Sequence, residues 1–372
     1  MEHVTPTSTS IASDKSRFAL WDTSIPFPSF DTMDDLDIVT HISVEKAQAD
    51  GFKYLHESSI AWHNGRLYAV WANHRDREVN ISDELIRGKT SDDGGFTWSD
   101  AFTIAAPPME GSASYNHPVI ASVDGTLWGF FTRWDHEKPS TEIFTMDNAT
   151  GAWTTTGTII PTLVPFSSPM KMANGNWIVS GESFWYEPAV AISKGDDFSQ
   201  WDLVVIPRPN DVEILFAETT LLQRGTQLVA ICRPKNDPAA PVAVSDDFGR
   251  TWSPLEPSNF PIDTAQPFCH KLSNGQQVLV TNSLEERRHL ISIAVTRPNG
   301  GKFERIWKLR HQQFPRVRYF GGWGEGSRAG CTTEWSYPSM IEHDDKLYVV
   351  YTQGKEDCCV SIIPMRVLEV NA

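Results

Sequence analysis

Polar, ionisable and aromatic side chains recur beside six short apolar hairpin motifs of this chain. They stand just before the first strand of each motif and just after the second. Glycan sites are built from carboxylates, guanidinium groups and stacking aromatic rings, so these positions are candidates for such a site. The positions before the first strand are His56-Glu57, Asn116-His117, Phe166-Ser167, Glu218-Thr219, Gln266-Pro267 and Tyr337-Pro338. The positions after the second strand are Asn73-His74-Arg75, Arg133-Trp134, Glu182-Ser183, Arg233-Pro234, Asn282-Ser283 and Thr352-Gln353.

The hairpins that must position these residues repeat along the chain, and three successive spacings between their turn glycines are 50 residues. Asn-Gly and Asp-Gly turns supply the positive φ that two right-twisted strands require, and the flanking runs are rich in Val, Ile, Leu and aromatic residues. In a sixth copy Asp344-Asp345 replaces the turn dipeptide. The turn glycines are Gly65, Gly125, Gly175, Gly225 and Gly275.

A second motif, S-x-D-x-G-x-T-W, lies between hairpins. It occurs at residues 91–98 as SDDGGFTW and at residues 245–252 as SDDFGRTW. The aspartate of each copy can accept hydrogen bonds from backbone N–H groups, and the glycine suits a left-handed position. We interpret both copies as structural turns between outer strands and assign no chemistry to them.

Repeats of about 40 to 50 residues that carry several strands are typical of a β-propeller. The sequence therefore predicts an all-β, six-bladed β-propeller. Residues 1–16 are polar and are expected to be disordered, whereas residues 17–372 are expected to form a single propeller domain. Apolar residues between Phe18 and Ser43 predict an N-terminal strand that pairs into the last blade, which removes an open sheet edge.

The chain is acidic, with a formal net charge of −15 and a pI near 5.1. Nucleic acids and anionic membranes demand a basic surface, so neither is expected as a partner. The sequence contains no stretch of 18 consecutive apolar residues, so no transmembrane helix is predicted. The first 16 residues lack the basic start and apolar centre of a signal peptide. Localisation is left open between the cytoplasm and export under a leader outside this sequence.

No cofactor is predicted. The five cysteines include the adjacent pair Cys358 and Cys359, which a strand would point to opposite faces, so buried thiols are favoured over disulfides or metal ligation. Neither C-x-x-C nor H-E-x-x-H occurs. The loop carboxylates Asp76, Asp83 and Glu84 have no spacing diagnostic of Ca²⁺, so a calcium site is left open and is not predicted.

Three histidines, His56, His74 and His117, are expected to crowd one side of the propeller funnel next to Arg133. A neutral imidazole there would supply a base near pH 7. His56 and His117 are therefore candidate catalytic residues. The substrate-binding candidates at the ends of second strands are His74, Arg75, Arg133 and Trp134.

Nearly the whole chain resembles the sialidase-like (neuraminidase-like, BNR-repeat) superfamily. The two S-x-D-x-G-x-T-W segments are similar to its Asp boxes. Blade by blade, the resemblance continues in LHESSI, NHPVIASVDG, ETTLLQRGTQLVAICR, TNSLEERRHLISIAVT and EWSYPSMIEHDDKLYVVYT. It implies a six-bladed propeller whose partner is a glycan.

Sialidases hold the sugar carboxylate with three arginines and use a tyrosine nucleophile that a glutamate activates. The resemblance implies that Tyr337 is the nucleophile, Glu218 its partner, Arg233 the second arginine and Arg288 the third, with Arg287 as competitor for the last position. A phenol with a pKa near 10 is a poor nucleophile, so a neighbouring carboxylate is a physical requirement. Two guanidinium groups can bind a carboxylate at two points.

The first blade departs from the sialidase pattern. Sialidases carry an arginine in a Phe/Tyr-Arg-Ile-Pro segment, where this chain has Tyr54-Leu55-His56-Glu57. The arginine triad is incomplete, which argues against sialic acid itself. The resemblance also implies an acid/base carboxylate on the loop NHRDREVNISDE. Asp76 is favoured there over Glu78 and Asp83.

Three functions fit these residues. The first is an exo-acting glycoside hydrolase that removes, or cleaves next to, a sugar bearing a carboxylate. The second is a polysaccharide lyase acting by β-elimination on a uronic acid, for example a rhamnosyl-glucuronate, with histidine or tyrosine as base. The third is a propeller that binds glycans without catalysis, which applies if Tyr337 and Glu218 lie more than about 6 Å apart or pack away from the funnel.

The longest irregular stretch, residues 311–333, precedes the first strand of the sixth blade. Long loops in compact domains are commonly lids or binding loops, so it is expected to fold over the funnel mouth. Trp323 in this loop is expected to stack on a sugar or to shield the pocket.

Overall fold

The described residues form six antiparallel sheets of four or five strands in a computed structural model. This confirms the predicted all-β, six-bladed β-propeller. Each sheet is built from strands that follow one another in sequence, as expected for one repeat per blade. The described residues are 15–49, 51–78, 83–109, 111–135, 138–184, 186–235, 237, 239–284, 288–311, 317–319 and 334–370.

The first three blades contain strands β2 to β14. Blade 1 comprises β2 (Tyr54–His63), β3 (Arg66–His74), β4 (Leu85–Ser91) and β5 (Phe102–Ala105). Blade 2 comprises β6 (Ser114–Val123), β7 (Thr126–Trp134), β8 (Pro139–Met146) and β9 (Trp153–Pro161). Blade 3 comprises β10 (Leu163–Pro165), β11 (Met170–Lys171), β12 (Trp177–Ser183), β13 (Glu187–Lys194) and β14 (Asp197–Val205).

The other three blades contain the remaining strands. Blade 4 comprises β15 (Thr220–Arg224), β16 (Gln227–Ile231), β17 (Ala239–Ser245) and β18 (Glu256–Pro261). Blade 5 comprises β19 (Phe268–Lys271), β20 (Gln277–Asn282), β21 (Ile291–Thr296) and β22 (Phe303–Arg310). Blade 6 comprises β1 (Thr40–Lys46), β23 (Trp335–His343), β24 (Lys346–Gln353) and β25 (Asp357–Pro364). Short 3-10 segments are Lys15–Phe18 and Met365–Val367.

The N-terminal strand closes the last blade, as predicted. β1 pairs antiparallel with β25, so the outer edge of blade 6 comes from the other end of the chain. The segment before β1 adds only isolated bridges to β22, and its Leu20 and Trp21 are buried against Phe260 and Phe303. Residues 1–14 of the predicted disordered segment lie outside the described residues.

The core lies between neighbouring blades. Blades 2 and 3 share a buried cluster that includes Phe130 and Phe198, and blades 6 and 1 share one that includes Tyr348 and Trp71. A blade alone leaves both faces of its sheet uncovered, so stacking against two neighbours supplies the burial that holds it. The innermost strand of each blade is thereby fixed around a common centre.

The two S-x-D-x-G-x-T-W segments are self-contained turns. Asp247 accepts hydrogen bonds from the backbone N–H of Thr251 at 2.8 Å and from the Ser245 hydroxyl at 2.9 Å. Gly249 has a φ of +80°, and the Trp252 indole donates to its carbonyl at 2.9 Å. Asp93 makes the matching bonds in blade 1. These bonds are local, which agrees with a structural interpretation.

Four cysteines within the described residues are buried free thiols, namely Cys232, Cys269, Cys358 and Cys359. Across that same part of the chain, no group of three His, Cys, Asp or Glu side chains is arranged to hold a metal ion. The described segments also contain no helix of the length and apolar character needed to cross a bilayer.

Candidate active site

Four residues that could act as acids, bases or nucleophiles take equivalent positions in four blades, within the innermost strands of blades 1, 2 and 6 and just before β15 in blade 4. Glu57, His117, Glu218 and Tyr337 have φ values of +60°, +41°, +32° and +55°. In blades 1, 2 and 6 the pairing of the innermost strand shifts register at this position. Such bulges re-aim a side chain, and left-handed backbone in residues other than glycine concentrates at functional sites. The local strain therefore turns these side chains toward one place.

These four residues line a single cavity of about 180 Å³. Its walls combine carboxyl groups, cations and aromatic rings, which is the composition expected for a sugar pocket. The remaining lining residues are Glu78, Trp134, Phe166, Glu182, Tyr186, Phe216, Arg233, Arg288 and Lys355.

Tyr337, Glu218 and Arg233 form one buried hydrogen-bonded group. The Tyr337 phenol donates to Glu218 Oε1, and Arg233 Nη1 donates to the same oxygen at 2.6 Å. Arg233 Nη1 also lies 3.4 Å from Tyr337 Oη. Burial, and then the charge of Glu218, raise the pKa of Tyr337 well above its usual range. The phenol is therefore protonated in the free protein and has a carboxylate in place to accept its proton.

Arg288 and Lys355 bring two further cations to the cavity. The Arg288 guanidinium carbon lies 5.7 Å from the centre of the Tyr337 ring, and its Nη2 donates to the Thr264 carbonyl at 2.8 Å. Lys355 Nζ donates to both carboxylate oxygens of Glu78, at 2.7 and 2.6 Å. Lys355 has a φ of +57° in the turn after β24. Sequence reasoning missed Lys355, because no turn motif marks it.

Glu57 and His117 form a pair across blades 1 and 2. Glu57 Oε1 lies 3.2 Å from His117 Nε2, and Glu57 Oε2 accepts the His117 backbone N–H at 2.7 Å. Burial is the largest cause of both pKa shifts, raising that of Glu57 to about 8 and lowering that of His117 to about 3. The imidazole is uncharged near pH 7, so the carboxyl group carries the shared proton.

Glu182 is a second buried carboxyl group in the cavity wall. Its Oε2 accepts the backbone N–H of Ala217 at 2.8 Å and lies 3.5 Å from that of Glu218. Burial is the largest cause that raises its pKa to about 8, and the charge of Glu218 adds to the effect. Glu182 is therefore neutral between about pH 4.5 and 8, where a free glutamate is ionised.

Replacing Glu182 with Gln should flatten the pH dependence of stability. In the wild-type protein the folded pKa lies above the unfolded one, so unfolding releases a proton and stability falls as pH rises from about 4.5 to about 8. The variant should equal the wild type near pH 5 and exceed it at pH 8 by more than about 1.4 kcal/mol. Urea unfolding at both pH values measures this difference. Glu369→Gln, at an exposed carboxylate, is the control, and an equal change in both variants would contradict the assignment.

The structure brings together Tyr337, Glu218, Arg233, Arg288, His117 and Trp134, all of which sequence reasoning had selected. His56 is fully buried behind them, with its ring centre 4.1 Å from that of Tyr337 and its Nδ1 2.8 Å from Thr352 Oγ1. Its pKa is well below the usual range, mainly through burial. His56 therefore packs against the Tyr337 ring and supports it.

Other selected residues lie elsewhere. His74 and Arg75 line a separate cavity of about 490 Å³ on blade 1. Arg133 lies opposite Tyr115 in the β6–β7 pair and is not among the described residues that line the site cavity. Asp76 is exposed, and it is Glu78 from the same loop that reaches the cavity. Trp323 and Arg287 lie outside the described residues.

Comparison with known proteins agrees with this architecture. The BNR repeat-like domain matches residues 65–349, and comparison with curated proteins gives no match. A protein of unknown function from Dyadobacter fermentans DSM 18053 has a TM-score of 0.65 at 15% identity, over 88% of this chain and 99% of that one. Trypanosoma rangeli sialidase, in complex with a difluorinated keto-deoxy-nononic acid, has a TM-score of 0.62 at 13% identity, over 89% of this chain and 59% of that one.

A further sialidase structure has a TM-score of 0.58 at 16% identity, and it is matched over 89% of this chain and 33% of its own. This chain therefore spans well under two thirds of either sialidase. At these identities the structural likeness concerns the fold, while the domain match covers most of the sequence. The chain belongs to the BNR repeat-like family of sialidase-like β-propellers.

Proposed function

We propose that the protein is a glycoside hydrolase that removes a terminal sugar bearing a carboxylate. One observation carries this proposal: the Tyr337 phenol donates a hydrogen bond directly to Glu218 inside a cavity lined by cations. A propeller that only binds glycans has no need of a buried phenol–carboxylate bond. An enzyme that uses a tyrosine nucleophile requires one.

Hydrolysis on these residues proceeds in two displacements. In the first, Tyr337 Oη bonds to the anomeric carbon while the glycosidic bond breaks, and the phenolic proton passes to Glu218. In the second, a water oxygen bonds to the same carbon, the bond to Tyr337 breaks, and Glu218 returns the proton to the phenol. Arg233, 2.6 Å from Glu218, orients the carboxylate that accepts this proton.

The charge of the cavity favours an anionic sugar. Glu57 and Glu182 have pKa values near 8, so two of the four carboxyl groups in the wall are neutral at pH 7. The other two face three cations, which leaves a net positive charge within a protein whose overall charge is −15. A substrate carboxylate restores neutrality, and guanidinium groups bind it with charge-assisted hydrogen bonds. The three cations are Arg233, Arg288 and Lys355.

We propose that Lys355 takes the place of the first-blade arginine that this chain lacks. Lys355→Met should raise KM for a carboxylate-bearing substrate about 10- to 100-fold with little change in kcat, because a charge-assisted contact present in both the ground and transition states is lost. Steady-state kinetics measure this split. Lys355→Arg should retain most of the affinity, and Lys346→Met, at the far end of β24, is the matched control. An unchanged KM in Lys355→Met would contradict this role.

The lyase alternative would use His117 or Tyr337 as the base that removes a proton next to a uronate carboxylate. His117 lines the cavity, which keeps this chemistry within reach. Burial lowers its pKa to about 3, however, and its Nε2 already faces Glu57 at 3.2 Å. A base so weak abstracts a carbon-bound proton poorly, so hydrolysis is favoured.

Incubation with sialosides, 2-keto-3-deoxy glycosides and glucuronate-containing polysaccharides tests the proposal. Released sugar and the ultraviolet absorbance of an unsaturated uronate are followed together. We expect release without absorbance. Absorbance that rises with release would identify a lyase, and binding of a glycan without either product would identify a non-catalytic propeller.

A further inference from the structure

A hydrolase that uses Tyr337 must also protonate the departing oxygen, and the cavity offers three carboxyl groups besides Glu218. Glu78 is occupied, because both of its oxygens accept hydrogen bonds from the Lys355 ammonium group. Glu182 accepts the backbone N–H of Ala217 next to Glu218, so it lies on the side of the nucleophile's own partner. Glu57 differs from both, because its Oε1 faces the imidazole of His117 at 3.2 Å and both side chains line the cavity.

We infer that Glu57, held by His117, is the proton donor and acceptor of this site. This inference rests on the proposed function and adds the acid/base residue, a role that the sequence analysis gave to a loop carboxylate. Glu57 and His117 both line the cavity with Tyr337. The His117 and Tyr337 ring centres are 6.4 Å apart, so the pair stands beside the nucleophile.

The pair holds a proton where the first displacement needs it. Glu57 Oε2 accepts the His117 backbone N–H, which leaves Oε1 to carry a proton shared with His117 Nε2 at 3.2 Å. Burial and the charges of Glu78 and Glu218 raise the pKa of Glu57, while the His117 N–H and Lys355 oppose the shift, and the result is a pKa of about 8. The carboxyl group is therefore an acid at neutral pH.

With Glu57 in this role, every proton that moves in the two displacements has a donor and an acceptor. When the glycosidic bond breaks, the Glu57 proton passes to the departing oxygen and leaves a carboxylate. When water attacks the glycosylated Tyr337, its proton passes to that carboxylate and restores the acid. His117 acts as a positioning residue throughout, since its ring fixes which oxygen of Glu57 carries the proton.

A small cavity of about 20 Å³ lies on the other side of the pair. It is lined by Ser58 and Ser339, whose buried hydroxyls have no hydrogen-bond partner among the described residues. His117 Nδ1 is likewise buried without a partner in the described part of the chain. A space of this size with several unpaired polar groups is large enough for one water.

Leaving-group dependence tests the inference. The probes are 4-nitrophenyl and methyl glycosides of N-acetylneuraminic acid, of a 2-keto-3-deoxy sugar and of glucuronic acid. A nitrophenolate departs without a proton, whereas a methoxide needs one. Because kcat/KM reports the first displacement, Glu57→Gln should lose about 100-fold or more in kcat/KM on the methyl glycoside and less than about 10-fold in kcat/KM on the nitrophenyl one. Azide should raise the kcat of Glu57→Gln on the nitrophenyl glycoside and yield a glycosyl azide.

Several outcomes would overturn the inference. Equal losses on both glycosides would mean that Glu57 does not protonate the leaving group. The same selective loss in Asp76→Asn would assign the proton to the loop carboxylate. If the wild type hydrolyses no probe, the proposed function fails. Infrared spectroscopy still decides the protonation of Glu57, because one buried protonated carboxyl band at pH 7 should be lost in Glu57→Gln, whereas the band of Glu182 should remain.

Discussion

Tyr337→Phe should lower kcat for glycoside hydrolysis by about 1,000-fold or more, because it removes the oxygen that bonds to the anomeric carbon. The phenyl ring still packs on His56, so the fold should be retained. Release of sugar from the accepted substrate is measured by single-turnover and steady-state kinetics. Melting curves of the variant establish that the fold is intact.

Tyr351→Phe provides the matched control for this prediction. Tyr351 is fully buried in β24, and its hydroxyl lies 2.9 Å from Ser361 Oγ, outside the site cavity. The same chemical change there should leave kcat near the wild-type value. A Tyr337→Phe protein that retains more than a tenth of wild-type turnover would mean that another group attacks the sugar.

Arg233→Met should destabilise the protein by about 3–5 kcal/mol, because it leaves the Glu218 carboxylate buried without its charge partner. The side chains of Arg233 and Glu218 are 6% and 3% exposed, so water cannot replace the lost contact. Urea unfolding near pH 7 measures this loss. Arg233→Lys keeps the charge but loses the planar guanidinium group, so its unfolding free energy should lie between those of the wild type and Arg233→Met.

The exposed pair of Arg208 and Glu187 gives a control of the same chemistry. Arg208 makes two hydrogen bonds to Glu187, at 2.8 and 2.6 Å, but both side chains remain about 30% exposed. Arg208→Met should cost no more than about 1 kcal/mol. If Arg233→Met costs no more than this, Glu218 is not held as a buried charge.

The fold could be predicted because its determinants are local. Turn glycines such as Gly125 and Gly175, with apolar strands on both sides, specify a hairpin without reference to the rest of the chain. The repeat of these hairpins then implies blades that stack on one another. The edge left open in blade 6 implies the closing strand, which the pairing of β1 with β25 confirms.

The gathering of Tyr337, Glu218 and His117 in one cavity could also be predicted, since equivalent positions of the blades face a common centre. Glu57 has the same place relative to its strand as His117 and Tyr337, so alignment of the repeats contained the signal for it. The positive φ values that orient these side chains could not be predicted from the sequence, because in blades 1, 2 and 6 they arise where the strand pairing shifts register.

Other parts of the site depend on geometry that sequence spacing does not fix. Arg133 and Trp134 are adjacent in β7, and strand alternation lets only Trp134 face the cavity. Lys355 reaches it from a turn with φ of +64° at Gly354 and +57° at Lys355. Glu78 rather than Asp76 enters because it pairs with that lysine. The last two outcomes follow from a contact between blades 1 and 6, which are distant in sequence.

Trapping of the glycosyl–enzyme intermediate tests the central claim most directly. The reagent is a fluorinated analogue of the accepted sugar, with fluoride as leaving group at the anomeric carbon and a second fluorine beside it to slow hydrolysis. Intact-protein mass spectrometry followed by peptide mapping should find one adduct, on Tyr337, that is missing in Tyr337→Phe. An adduct on any other residue, or turnover of the substrate with no adduct on Tyr337, would contradict the assignment of Tyr337 as the nucleophile.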